Sequence, residues 1–208
     1  VAPVAGAKVE VAHLDKAAKE LWATKGASLV VSGSNDPNVQ VVIHAINELL
    51  GNNGATVDFS TPLYFRKGND SRMNQFITEL KGGSVGAVIF YNCNPVYDHP
   101  RGADLAAGIA KAKLSIATNG TLDETSSLVQ VIAPDHHFLE SWNDFQPKKG
   151  QYSLAQPTIS PLFKTRQAQD SFLTWAGSTV SYYDYLQANW TSSLYATLGA
   201  GATFQEFW

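Results

Sequence analysis

Residues 90–100 read FYNCNPVYDHP. They hold the one cysteine of the chain, Cys93, together with His99, Asp98, two tyrosines and two prolines. A thiol and an imidazole this close in sequence raise nucleophilic catalysis, in which the imidazole takes the thiol proton. That chemistry needs a third group to orient the base, and none is evident beside His99. Asn92, Asn94 and Pro95 point to loop chemistry instead. Asn tolerates left-handed backbone, while Pro95 fixes its own φ and restricts Asn94. The apolar run GAVIFYN ahead of them reads as a strand. In doubly wound sheets, loops at the carboxyl ends of strands form the ligand crevice. The stretch is then a ligand-contacting loop, with Asn92 and Asn94 offering amide donors and acceptors. The alternative is a structural turn in which Cys93 acts as a small apolar residue.

Two other stretches carry chemical residue types. VVSGSNDPN, residues 30–38, is a strand–loop–helix start, and backbone amides at a helix N-terminus can hold a phosphate. It has one glycine, not the Gly-rich patterns of dinucleotide or P-loop sites, so a helix cap explains it locally. APDHHFLESWNDF, residues 133–145, gathers Asp135, His136, His137, Glu140 and Asp144. These types ligate zinc, but adjacent histidines point in different directions, so only one can join Glu140 on a face. The stretch reads as a helix start led in by Pro134, with its polar heads on the surface. No G-x-S-x-G elbow appears. His13 and His44 fall in helical patterns as packing or surface residues. The candidate cofactor contacts are Gly33, Asn35, Asp36, Asn92, Asn94 and Pro95, with no catalytic residue and no metal ligand.

The elements that position these loops alternate. LDKAAKELWATKG is helical and stops on Gly26. ASLVVSG, residues 27–33, suits a buried parallel strand. A helix then opens with Asp36 as N-cap and Pro37 at its first position. It sets Val41, Ile43, Ala45, Ile46, Leu49 and Leu50 on a broad apolar face and ends at Gly51. A second round follows: helix SRMNQFITELKGG with Met73, Phe76, Ile77 and Leu80 inward, strand GAVIFYN, helix ADLAAGIAKA, strand KLSIAT, turn DETSSL and strand VQVIA. This order predicts a mostly parallel sheet covered on both faces, a three-layer Rossmann-like α/β domain. From about Asn143 the sequence turns rich in Pro, Gln, Ser and Thr and predicts an ordered, extended excursion over a larger surface. RQAQDSFLTWAG follows as a helix with Phe172, Leu173 and Trp175 inward, then an aromatic-rich helix over 180–198. The ring-bearing tail FQEFW reads as exposed and suited to a partner. The division is an N-terminal helical lead-in over 1–27, the α/β domain over 28–142, and a wrap-around segment with C-terminal helices over 143–208.

The 208 residues carry a formal charge of −3, with Lys and Arg scattered. That balance predicts no strong attraction to nucleic acid or anionic lipid. One cysteine excludes an internal disulfide framework and a multi-cysteine zinc or iron–sulfur site in this chain. No apolar run reaches membrane-spanning length. The start, VAPVAGAKVEVAHLDKAAKEL, lacks both an initiator Met and signal-peptide character, as expected of a piece of a longer protein.

Taken in order, the segments resemble a known family. LVVSGSNDPNVQVVIHAINELLGNNGATV is similar to the start of the third domain of molybdopterin oxidoreductase large subunits, with their Leu-Gly-Asn-x-Gly stretch at Leu50 to Gly54. MNQFITELKGGSVGAVIFYNCNPVYDHP resembles the helix, strand and Asn-Pro loop that follow. APDHHFLESWNDFQPKKGQYSLAQPTISPLFKTRQAQDSFLTWAG is the most specific block. It resembles the large iron–sulfur subunit of alternative complex III, a bacterial quinol:electron acceptor oxidoreductase. The similarity runs from about Leu29 to Gly177.

The resemblance implies a Rossmann-like domain that, in active relatives, contributes to the site of a molybdopterin guanine dinucleotide. It implies that Asn94-Pro95 sits at the mouth of that crevice, with no role for Cys93. The alternative complex III subunit shares the fold and is understood to lack the molybdenum cofactor, its iron–sulfur clusters lying in a separate cysteine-rich part. The expected function is thus a non-catalytic structural domain in a respiratory electron-transfer subunit. No cofactor is expected in this segment. Its partners would be other domains of the subunit and other subunits of a membrane-bound complex, without membrane insertion, on the periplasmic face. The rival reading is a dinucleotide-binding domain of an active molybdenum or tungsten oxidoreductase. A stand-alone hydrolase using Cys93 and His99 is the third.

Overall fold

The computed structural model describes residues 11–65, 68–198 and 201–208, with side chains from His13 onward. Residues 1–10 of the expected helical lead-in lie outside the described residues. The chain falls into two compact units, one of residues up to Phe65 with Gln146–Gln151, the other of residues 68–145 and 152–208.

In the first unit, α1 (Val11–Ala23) and α2 (Pro37–Leu49) are amphipathic helices. Asp36 is the N-cap of α2, its carboxylate accepting the Asn38 N–H at 2.8 Å, with Pro37 at the first position. Gly51 ends the helix at φ 66°, a value that suits glycine. The apolar face of α2 is narrower than its pattern suggests. Leu50 is buried and Ile43 and Ile46 half-buried, but Val41 and Leu49 are exposed. The expected strand over 27–33 is corrected: the stretch is irregular and pairs with no strand among the described residues. Its backbone is held instead by side chains: Thr56 Oγ1 donates to the Ser28 carbonyl at 2.6 Å, Gln40 Nε2 to the Ser32 carbonyl at 3.2 Å, and Asn47 grips Val30. Asn47, buried in α2, accepts the Val30 N–H at 3.0 Å and donates to the Val30 carbonyl at 2.8 Å. Deprived of a neighbouring strand, the apolar residues Leu29 and Val31 stay exposed.

The second unit is the α/β domain. Its sheet has the order β1-β2-β3, all parallel: β1 Ala87–Phe90, β2 Leu114–Ala117 and β3 Val131–Ile132. Helices α3 (Asp70–Gly82) and α5 (Gly102–Ile109), with short α4 (Pro95–Asp98) between β1 and α5, supply the helical layer. Strand periodicity decides the packing. Val88 and Phe90 of β1 point to the helices and join Ile77, Leu80, Leu105 and Ile109 in the core. Each of the fully buried aliphatics contributes roughly 1.5–3 kcal/mol through removal from water. The opposite face is covered in part. Tyr91, next after Ile89 in the alternation, meets Phe172 edge-on at 5.5 Å, while Ile89 and Val131 remain exposed. This is the expected α/β architecture with a parallel sheet.

The segment after Asn143 is ordered and contains regular elements. β4 (Asn143–Lys148) and β5 (Gln151–Ala155) form a two-stranded hairpin that turns on Gly150 at φ 82°. Helices α6 (Ala168–Trp175), α7 (Tyr182–Ser192) and α8 (Phe204–Phe207) follow. Two expectations are corrected here. Trp175 is exposed rather than inward, since the buried residues of α6 are the small Ala168 and Ser171. The terminal rings are not exposed. Trp208 lies 5.5 Å from Trp190 and 5.8 Å from Trp142, and Phe207 lies 6.0 Å from Trp190. Trp190, itself buried, donates its indole N–H to Asp144 at 2.8 Å, so the cluster closes on its own rings. No described helix is long and apolar enough to cross a membrane.

Candidate functional site

The carboxyl ends of the three parallel strands meet at one cavity of about 660 Å³. β1 contributes Asn92, β2 leads to Gly120 and Thr121, and β3 leads to Asp135 and His136. This is where a parallel sheet leaves a crevice, because the connecting helices pack behind it. Phe138, Leu162 and Phe163 form an apolar rim.

Asn92 turns the chain out of β1 in a left-handed conformation, φ 47°, which Asn tolerates better than most side chains. Its backbone N–H donates to Thr118 Oγ1 and its side-chain oxygen accepts from the same hydroxyl, both at 3.2 Å. Its amide nitrogen donates to Asp135 Oδ2 at 2.9 Å. Asp135 in turn accepts the backbone N–H groups of His136 at 2.8 Å and Ala168 at 2.7 Å, tying β3 to the start of α6.

Asn94 is committed more fully. Its side-chain oxygen accepts from both the N–H (3.0 Å) and the hydroxyl (2.7 Å) of Thr125, and its NH₂ donates to Glu124 at 2.7 Å. Pro95 opens α4, where a missing N–H costs nothing. At the end of β2, buried Asn119 donates to the Cys93 carbonyl at 3.1 Å and to Asp123. The Asn119 side-chain oxygen is buried without a partner among the described residues.

Among the described residues, no hydrogen bond joins Cys93 to His99. Desolvation pushes the Cys93 thiol up, and Asp123 and Asp98 add to this, which holds sulfur in its unreactive protonated form. His99 Nδ1 accepts the Arg101 backbone N–H at 3.0 Å.

Glu140 corrects the expectation of surface polar heads. It is 8% exposed. One oxygen accepts the Leu162 N–H and the other the His137 N–H, each at 2.9 Å, and His137 Nδ1 accepts the Leu139 N–H. This capping box closes the short helical turn Phe138–Glu140. Those backbone donors, Leu162 first and His137 second, hold the Glu140 carboxyl below its usual range. His136 Nδ1 lies 2.6 Å from Thr165 Oγ1 and 4.0 Å from Glu140.

Gly33, Asn35 and Asp36 lie in the first unit, on the irregular stretch and the cap of α2. The Asp36 carboxylate occupies the helix N-terminus, so a phosphate there would meet a like charge. Asn92, Asn94 and Pro95 belong to the second unit, and only Asn92 lines the cavity. The sequence offers His136 and Glu140 only as metal ligands, a reading set aside above, and gives no sign of Thr165. Applying the strand-end rule to β3 as well as β1 is the signal that finds His136.

The charge lining the cavity opposes a pyrophosphate. Asp135 and Glu140 line it, and no Lys or Arg does among the described residues. Groups that grip a diphosphate are cationic side chains or free backbone N–H groups. The N–H groups of His136, His137 and Leu162 are already held by carboxylates.

Comparison with known proteins found no matching family model. The chain is 32% identical over 122 residues to the menaquinone reductase, molybdopterin-binding-like subunit of Nitratidesulfovibrio vulgaris. The alignment takes in 54% of this chain and 18% of that subunit, so the chain spans under a fifth of its relative.

Proposed function

We propose that this chain is a non-catalytic structural domain of a molybdopterin oxidoreductase-like iron–sulfur subunit. The subunit works in a respiratory, quinol-oxidising electron-transfer complex of the alternative complex III kind. The relative is named as a subunit of a menaquinone reductase, which supports a quinone-linked assembly. One observation carries the non-catalytic part. The crevice at the strand ends is lined by Asp135 and Glu140, without a Lys or Arg among the described residues. An anionic dinucleotide would place its diphosphate against carboxylates.

In this reading the domain holds neighbouring domains of the subunit in place, and those carry the iron–sulfur clusters. The complex sits at the periplasmic face of the cytoplasmic membrane, and this domain does not enter the bilayer. The rival is a molybdopterin guanine dinucleotide-binding domain of an active molybdenum or tungsten enzyme. Metal and pterin analysis of the native complex separates them. Iron without stoichiometric molybdenum, tungsten or pterin is expected. A stoichiometric pterin with molybdenum or tungsten overturns the structural reading.

A further inference from the structure

We propose that the cavity at the carboxyl ends of β1, β2 and β3 receives an arginine-bearing segment of a protein partner. The guanidinium enters beside Asp135 and Glu140, and the apolar neighbours of the arginine rest on Phe138, Leu162 and Phe163. This deepens the scaffold reading, on which it rests, by naming the chemistry of a neighbouring surface.

Charge is the first argument. Glu140 is buried and Asp135 half-buried. Among the described residues, no Lys or Arg lies within ion-pair distance of either, and the basic group within that distance is His136, 4.0 Å from Glu140. Their partners are neutral N–H dipoles, which support a carboxylate but leave its charge in place. A desolvated carboxylate gains most from a cation that also donates hydrogen bonds.

The rim is the second. Phe138 is 68% exposed, Leu162 71% and Phe163 77%. A small cation on the floor would leave these side chains in water. A peptide segment covers them, and exposed apolar rims of this kind mark interaction sites. Arginine fits better than lysine, because its planar fork stacks on aromatic rings and pairs with carboxylates at one time. A volume of about 660 Å³ accommodates one such side chain with its neighbours.

The test titrates the isotopically labelled 208-residue chain, followed by amide chemical shifts. The probes are N-acetyl-phenylalanyl-arginyl-leucinamide, its citrulline counterpart and guanosine diphosphate. The expected result is saturable shifts at Asn92, His136 and Leu162 with the arginine peptide. The neutral citrulline peptide should bind at least about tenfold more weakly, the loss of about 1.4 kcal/mol of charge recognition. Phe163→Ala should weaken the arginine peptide without altering the unfolding midpoint, since the ring is exposed. Equal binding of the two peptides, or no saturable shift, overturns the proposal and leaves the scaffold reading standing. Stoichiometric guanosine diphosphate binding in the cavity overturns both.

Discussion

Gly108 of α5 lies directly against Leu80 of α3. A Cβ at Gly108 would stand 2.8 Å from Leu80 Cγ, 2.9 Å from the Leu80 carbonyl carbon and 2.9 Å from the Lys81 nitrogen. Two of those atoms are backbone and cannot swing aside. The two helices approach this closely only because the position has no side chain, and both bury their apolar residues on β1 and β2 in consequence.

Gly108→Ala is therefore expected to destabilise the chain by about 1–3 kcal/mol through overpacking, despite the better helix propensity of Ala. Gly82→Ala, at the end of α3, meets no atom within 4 Å and should be neutral or stabilising. Urea unfolding of both variants checks the pair. Equal midpoints would mean that the helices part without cost.

Thr125 is fully buried and bridges two elements. Its hydroxyl donates to Asn94 Oδ1 at 2.7 Å and accepts the Val96 N–H at 3.0 Å. Thr125→Val keeps the shape but strips both bonds, and should cost about 1–3 kcal/mol by leaving the Val96 N–H without its acceptor. Thr125→Ser retains the hydroxyl and should cost less. Hydrogen exchange at Val96 separates the two, rising sharply in the Val variant alone.

Why were some of these relationships legible in the sequence and others not? Local signals read correctly. Asp36-Pro37 announced a helix start, and the 3.6-residue spacing of Met73, Phe76, Ile77 and Leu80 marked the face that packs on the sheet. The Asn-Cys-Asn-Pro stretch announced a turn, and Asn92 has the left-handed backbone that such a turn needs. The strand pattern over 27–33 misled because an apolar run states a need for burial without supplying a neighbouring strand; the Asn47 side chain answered the backbone instead. Glu140 misled for a related reason. A glutamate beside two histidines looks like surface, and only the fold brings the Leu162 N–H, 22 residues on, to its second oxygen. Long-range hydrogen bonds leave no spacing to read.

That pairing gives the chain an acid-sensitive point. The folded Glu140 carboxyl titrates below its ordinary value, so its contribution to stability is present above the unfolded value of 4.5. It is lost as pH falls through the lower, folded value. In Glu140→Gln, an amide NH₂ would face the Leu162 or His137 N–H, and the variant should be less stable than the parent near neutral pH. The gap should close in acid, where both side chains are uncharged. Thermal unfolding across that range checks it, and a gap independent of pH would place the loss in shape rather than charge.

Asn47 offers the sharpest test in the first unit. It is 4% exposed, and all its hydrogen-bonding capacity is spent at one junction. The oxygen accepts from Val30 N–H at 3.0 Å and from the Asn52 NH₂ at 2.9 Å, while its own NH₂ donates to the carbonyls of Val30 at 2.8 Å and Ile43 at 3.1 Å. The side chain thus imitates a neighbouring strand for one residue, between the Ser28 and Ser32 carbonyls that Thr56 and Gln40 hold. Asn47→Ala removes donor and acceptor together and should cost about 1–3 kcal/mol. Asn47→Asp keeps the acceptor but sets a carboxylate against two carbonyl oxygens, and should cost as much or more. In both, exchange of the Val30 amide should accelerate, by at least about tenfold for each 1.4 kcal/mol lost in local opening. A Val30 amide that stays protected in Asn47→Ala would show that something other than this side chain holds Val30.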